Sequence, residues 1–155
     1  MIRFRFGDLF DLLGKDGFKM VAHGCNCQCR MKSGFAGILV DKYPIAAEVD
    51  SKTEKGDITK MGTYSTATVD DITIFNLYTQ FNYGTDKVQV DLNAVESAFE
   101  RLATDLTKQG RNKDILLIPA IGSGLAGGKW YDILRTIDKV TNNLNIMVVF
   151  NVIPD

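Results

Sequence analysis

The stretch Ile115-Leu116-Leu117-Ile118-Pro119-Ala120-Ile121-Gly122-Ser123-Gly124-Leu125-Ala126-Gly127-Gly128-Lys129-Trp130 decides the fold. Its first four residues form an unbroken apolar run, the pattern of a strand buried on both faces in a sheet covered by helices. Its last residue opens a stripe, Trp130, Ile133, Leu134, Ile137 and Val140, at the three-to-four spacing of an amphipathic helix. Between them, four glycines fall in the seven residues from Gly122 to Gly128. Glycine lets a backbone approach a ligand closely and aim successive N–H groups at one point. With a helix N-terminus behind it, such a loop is a cradle for phosphate. It is not a Walker loop: Ser123 stands where that motif's first glycine should be, and Trp130 follows Lys129.

Outward from this unit, strands and helices alternate. Ile2, Phe4 and Phe6 alternate with Arg3 and Arg5, which predicts a strand with one buried face, stopped by Gly7-Asp8. Leu9 to Leu13 reads as a short helix and Met20-Val21-Ala22 as a short strand. A long irregular loop then runs from His23 to Gly34, followed by a helix from Phe35 to Tyr43 and helical sequence from Ala46 to about Lys55. Thr63 to Val69 and Ile72 to Thr79 read as a hairpin about Asp70-Asp71. Leu92, Val95, Phe99, Leu102 and Leu106 form a second helix stripe, ended by Gly110. A final strand is expected from Ile146 to Ile153. The pattern predicts one α/β domain over residues 1–155, a mixed sheet sandwiched between helices.

The bulk properties agree with a single globular domain. The chain has 155 residues, 45% hydrophobic and 24% charged, with a formal net charge of −1. That charge gives no global basic field for nucleic acid. No apolar run has the length of a membrane helix or a signal peptide, so no membrane partner is expected and the expected compartment is the cytoplasm. Three cysteines, Cys25, Cys27 and Cys29, crowd into five residues, which is not a disulfide framework.

The loop from His23 to Gly34 is the second unusual one. His23, Cys25, Cys27 and Cys29 would share a face of an extended chain, but residues two apart lie about 6.5–7 Å from one another. Alternate strand positions are too far apart for tetrahedral zinc, although a curled loop could bring them together. No metal and no cofactor are expected, and the cysteines read as small packing residues. His23 is the only histidine, and its type titrates near neutrality.

Several of these segments resemble the macrodomain family, and the match spans nearly the whole chain. Gly7-Asp8-Leu9-Phe10 is similar to the family's opening motif; Gly56-Asp57-Ile58-Thr59 is a second copy, lying where the family has a variable connection. His23-Gly24-Cys25-Asn26 falls on the family's Asn-Ala-Ala-Asn, with His23 replacing the first asparagine and Asn26 keeping the last. His23-Gly24-Cys25-Asn26-Cys27 resembles the ADP-ribose-1″-phosphate phosphatases, and the following Cys29-Arg30-Met31 resembles the terminal ADP-ribose glycohydrolases. Trp130 after the glycine loop matches a subgroup tryptophan. The resemblance implies a three-layer α/β/α fold with a mixed central sheet.

It also implies a ligand, ADP-ribose or ADP-ribose-1″-phosphate, with ADP-ribosylated macromolecules as further partners. Asp8, with Leu9, would meet the adenine, and Phe150 is the candidate aromatic beside it. Ser33, Gly34 and Phe35 would hold one side of the pyrophosphate. Ile121, Gly122, Ser123, Gly124, Leu125 and Ala126 would wrap the other. His23 and Asn26 are the candidate catalytic residues at the distal ribose, His23 as acid, base or nucleophile. Three activities remain open: removal of the 1″-phosphate, glycosidic release of ADP-ribose from protein or nucleic acid, and binding without turnover. The glycohydrolase branch uses a lysine and an aspartate at positions that here hold Gln80 and Ala126, and neither can do the same chemistry.

Overall fold

The computed structural model describes residues 1–152 and 154. In chain order the elements are β1 (Ile2–Phe6), α1 (Leu9–Leu12), β2 (Met20–Cys25), α2 (Gly34–Lys42), α3 (Ile45–Ser51), a 3-10 turn (Ile58–Lys60), β3 (Tyr64–Val69), β4 (Ile72–Tyr78), α4 (Leu92–Lys108), β5 (Ile115–Ile118), α5 (Trp130–Val140) and β6 (Asn145–Phe150). They form one six-stranded sheet in the order β1-β6-β5-β2-β4-β3. Only β3 runs antiparallel, paired with β4 across the hairpin. This is a three-layer α/β/α sandwich with a mixed sheet.

Alternation along the strands sorts the core into two layers. Phe75 and Leu77 of β4, Leu116 and Ile118 of β5, and Val148 of β6 face α4 and α5. Ile74 and Tyr78, Leu117, and Val149 face α1, α2 and α3. The run Ile115–Ile118 lies mid-sheet, with both faces covered, as a continuous apolar strand requires. The stripe of α4 is buried from Val95 to Leu106, while Leu92 in its first turn is exposed, and Asp91 caps that turn by accepting from Ala94 N–H at 3.1 Å.

Four expectations are corrected. The edge strand β1 pairs only with β6, so Phe4 and Phe6 are 52% and 67% exposed rather than buried; Phe6 leans edge-on against Phe150. β2 continues to Cys25, because parallel pairing with β4 carries through His23↔Asn76 to Cys25↔Tyr78; His23 therefore lies inside a strand and not at the start of a loop. The helix after Pro44 stops at Ser51, and β6 stops at Phe150; Ile153 lies outside the described residues.

The site follows from topology. From β2 the chain crosses into α2 on one face, and from β5 it crosses into α5 on the other. β2 and β5 are neighbours, so the loops beyond their carboxyl ends diverge and open a crevice there.

Candidate functional site

Two adjoining hollows fill that crevice. The first, about 670 Å³, is lined by residues that include His23, Asn26, Arg30, Tyr83 and Ala126. The second, about 650 Å³, includes Asp8, Phe10, Lys42, Ser123 and Phe150. Gly34, Phe35, Pro119, Ala120 and Gly124 line both, so the two form one cleft. Every sequence-predicted site residue lies on it. His23, Asn26, Ser33, Ile121, Gly122, Leu125 and Ala126 line the first hollow; Asp8, Leu9, Ser123 and Phe150 line the second; Gly34, Phe35 and Gly124 are shared. Asp57 lines neither. It caps the 3-10 turn, accepting from Thr59 N–H at 2.8 Å.

The walls of the cleft are rich in unused backbone donors. In the glycine loop, Ser123, Gly127 and Gly128 donate within the loop, to Ala120, Gly124 and Gly122. Among the described residues the N–H groups of Gly122, Gly124, Leu125 and Ala126 have no acceptor. Opposite them, Ser33 begins α2 without a side-chain cap, so the N–H groups of Phe35 and Ala36 are also free among the described residues. Gly122 has to be glycine: its φ is +76°, and a Cβ would lie 2.6 Å from Val90 Cγ2. At Gly124 a Cβ would meet nothing within 4 Å.

His23 differs from the sequence expectation. It is 1% exposed, and its Nε2 lies 2.7 Å from Oδ1 of Asn76. Asn76 in turn donates both amide protons, to Ala46 O and Ser65 Oγ, each at 3.1 Å. Its oxygen therefore faces the imidazole, which must donate from Nε2 and keep its lone pair on Nδ1. Burial pushes the imidazole pKa down to about 4, against a smaller rise from the Asn76 bond. The expected titration near neutrality is thus corrected: His23 is neutral at physiological pH. The polar chain runs on from Ser65 Oγ to Tyr78 OH at 2.9 Å and from there to Asp50 Oδ1 at 2.8 Å, all behind the cleft wall. Cys25 Sγ sits 3.6 Å from Nε2, and burial holds its thiol well above the usual range, so it stays protonated.

Asn26 is half-buried and already engaged. Its Oδ1 accepts from Gln28 N–H at 2.9 Å, and its Nδ2 donates to Arg30 O at 2.8 Å. One amide proton and one lone pair remain for a ligand. Among the described residues no aspartate or glutamate lines the His23 hollow. Among the described residues no three His, Cys, Asp or Glu side chains are placed to hold a metal. The cleft is thus neutral to positive at one end and lined with N–H donors, a surface that receives oxyanions.

No family model matches the chain. An uncharacterised 17.5 kDa protein from the tk–vs intergenic region of Enterobacteria phage T4 is 35% identical to it over 157 residues, covering 96% of each. The macrodomain of Thermus aquaticus DarG superposes with a TM-score of 0.73 at 15% identity, over 96% of this chain and 97% of that one. The chain has the macrodomain fold. It shares its family with the phage protein. Thermosipho africanus DarTG, solved in complex with ADP-ribose, superposes with a TM-score of 0.72 at 15% identity, over 96% of this macrodomain and 41% of that chain.

Sequence reasoning left several lining residues of this macrodomain unassigned. Tyr83, Gly84 and Thr85 come from the connection between β4 and α4, a tract without periodicity. Arg30 was visible only as part of a motif. Phe10 stacks on Phe35 with ring centres 5.1 Å apart, and Lys42 reaches over Phe10, which closes the Asp8 end. Asn76 carries no sequence signal, because only strand pairing places it beside His23.

Proposed function

We propose that this macrodomain binds ADP-ribose along the cleft and releases phosphate from ADP-ribose-1″-phosphate. The carrying observation is the two sets of unpaired backbone N–H groups, on the glycine loop and at the start of α2, facing one crevice. A pyrophosphate needs several donors and no neighbouring carboxylate, and such donors cost no reorganisation on binding. In this reading Asp8, Leu9 and Phe150 take the adenine end. Gly122 to Ala126 and Ser33 to Phe35 hold the pyrophosphate. Asn26 meets the distal ribose, with His23 behind it. The ADP-ribose complex of the structurally similar DarTG supports this ligand.

Phosphate release has narrower support. Among the described residues the distal hollow has no carboxylate to repel a 1″-phosphate. His23, neutral and buried, has its Nδ1 lone pair facing the Cys25 thiol at 3.9 Å, and supports the wall behind Asn26 rather than delivering a proton. The same neutral histidine favours a second reading, binding without turnover. Glycosidic cleavage is the weaker alternative, since Gln80 and Ala126 line this hollow and supply neither an amine nor an acid.

Calorimetry with ADP-ribose and AMP, joined to a phosphate-release assay on ADP-ribose-1″-phosphate, tests the proposal. One-to-one binding of ADP-ribose, far tighter than AMP, with slow phosphate release is expected. Absence of ADP-ribose binding would sink the whole reading. Binding without release would leave the non-enzymatic one.

A further inference from the structure

We infer that Arg30, seated on Tyr83, selects ligands that carry a phosphate group on the distal ribose. The inference rests on the cleft reading above and adds a specificity to it. Of the described side chains lining the distal hollow, Arg30 alone carries a full charge. Its guanidinium carbon lies 4.6 Å from the centre of the Tyr83 ring. Stacking on an aromatic face fixes a guanidinium while leaving its N–H edge open. Among the described residues no carboxylate pairs with Arg30; the three ion pairs involve other residues. An arginine at the mouth of a pocket, held by a ring and lacking an anionic partner, is arranged for an anion that arrives with the ligand.

The lip that presents this pair is built, not incidental. Cys27 N–H and Gln28 Nε2–H both donate to Phe81 O, at 3.0 and 3.1 Å, lacing the Arg30 loop to the Tyr83 loop. Asn26 Nδ2 holds Arg30 O at 2.8 Å. Cys29 turns the chain through φ +54° just before Arg30, and its Sγ reaches Asp50 O at 3.4 Å. Tyr83 N–H is held by Asn82 Oδ1 at 2.9 Å. A loop tied at these points loses little freedom when a ligand binds.

Phosphate fits the recognition chemistry. Guanidinium matches two phosphate oxygens with two parallel N–H bonds, which a hydroxyl cannot reproduce. A free ribose offers Arg30 nothing charged, so the residue separates phosphorylated from unphosphorylated ligand. A terminal monoester and a bridging diester share that anion, and both fall within the inference.

Calorimetry compares three ligands: ADP-ribose, ADP-ribose-1″-phosphate and its methyl phosphodiester. The wild type is expected to favour a phosphate-bearing ligand over ADP-ribose by about tenfold, the low end for a hydrogen-bonded charge. Raising the salt should shrink that ratio. In Arg30→Gln the ratio should fall toward one, in Tyr83→Leu it should fall in part, and in Tyr83→Phe it should persist because the ring remains. Preference for the monoester alone, or for monoester and diester together, supports the inference. A wild-type ratio near one, or a ratio that survives in Arg30→Gln, overturns it while ADP-ribose still binds. Loss of ADP-ribose binding itself in the wild type would instead bring down the cleft reading.

Discussion

The imidazole of His23 and the carboxamide of Asn76 face each other across paired strands, Nε2 to Oδ1, at 2.7 Å. With the amide protons of Asn76 given to Ala46 and Ser65, the pair fixes the tautomer of the only histidine. A single histidine gives a single imidazole resonance, so its titration can be followed directly by NMR. It should remain neutral from pH 8 to below pH 5, in keeping with a pKa pushed down to about 4. An NMR midpoint near 6.5 would remove the burial account of this residue.

The same depression makes a stability prediction. The folded pKa lies below the unfolded value of 6.5, so between about 4 and 6.5 the unfolded chain binds the extra proton. Its contribution is fully present above pH 6.5 and is lost as pH falls toward 4. Urea unfolding at pH 7.5 and pH 5 should show the wild type losing about 2 kcal/mol more than His23→Gln over that interval. Equal losses would contradict it.

The two Gly-Asp pairs separate cleanly. Asp8 lines the cleft, and its Oδ1 caps α1 by accepting from Phe10 N–H at 2.9 Å. Asp8→Ala should weaken ADP-ribose binding by roughly 1.5–3 kcal/mol, as for a hydrogen bond to a charged group. It should also cost about 1 kcal/mol of stability through the lost cap, which Asp8→Asn restores. Asp57→Ala should leave the affinity unchanged, since Asp57 lines neither hollow. Calorimetry that finds the loss at Asp57 and not at Asp8 would reverse the assignment.

Two glycines in one loop should respond in opposite ways. At Gly124 an added side chain meets no protein atom within 4 Å. Gly124→Val should therefore keep the fold, seen by circular dichroism, and abolish ADP-ribose binding by filling the cleft. Gly122→Ala forces a side chain onto a φ of +76° and against Val90, and should cost about 1–3 kcal/mol in urea unfolding. Retained affinity in Gly124→Val would show that the ligand does not approach the loop there.

Much of this fold was legible because periodicity reports burial. The runs Ile115–Ile118 and Leu92–Lys108 each bury a pattern that only one element type can present. The glycine loop was legible because four glycines between strand and helix have few other uses. Burial of β1 was misread because alternation tells which residues share a face, not whether anything covers that face. The state of His23 depended on Asn76, more than fifty residues away along the chain and adjacent only through sheet pairing. The Arg30–Tyr83 lip joins two aperiodic loops, and no local pattern announces such a contact.

Phosphate release supplies the final prediction. A general acid or base works best with a pKa near the operating pH, where it contributes about 10²–10⁴-fold. His23, depressed to about 4, lies well outside that range. Cys25 is held protonated, and among the described residues no aspartate or glutamate lines the distal hollow. What remains is positioning: the buried His23 behind Asn26, the free amide valences of Asn26 and the N-terminus of α2, where negative charge is stabilised. Release of phosphate from ADP-ribose-1″-phosphate should therefore be slow and flat in kcat from about pH 7 to 8.5, above the second ionisation of the substrate's phosphate at about pH 6. His23→Ala should lower kcat, because the wall that supports Asn26 loosens, while KM changes little. Asn76→Asp places a carboxylate beside the imidazole, raises its pKa and should bring a titration into the profile; NMR of His23 in that variant checks the shift independently. A bell-shaped wild-type profile centred near pH 7 would show that a group outside this set carries the proton.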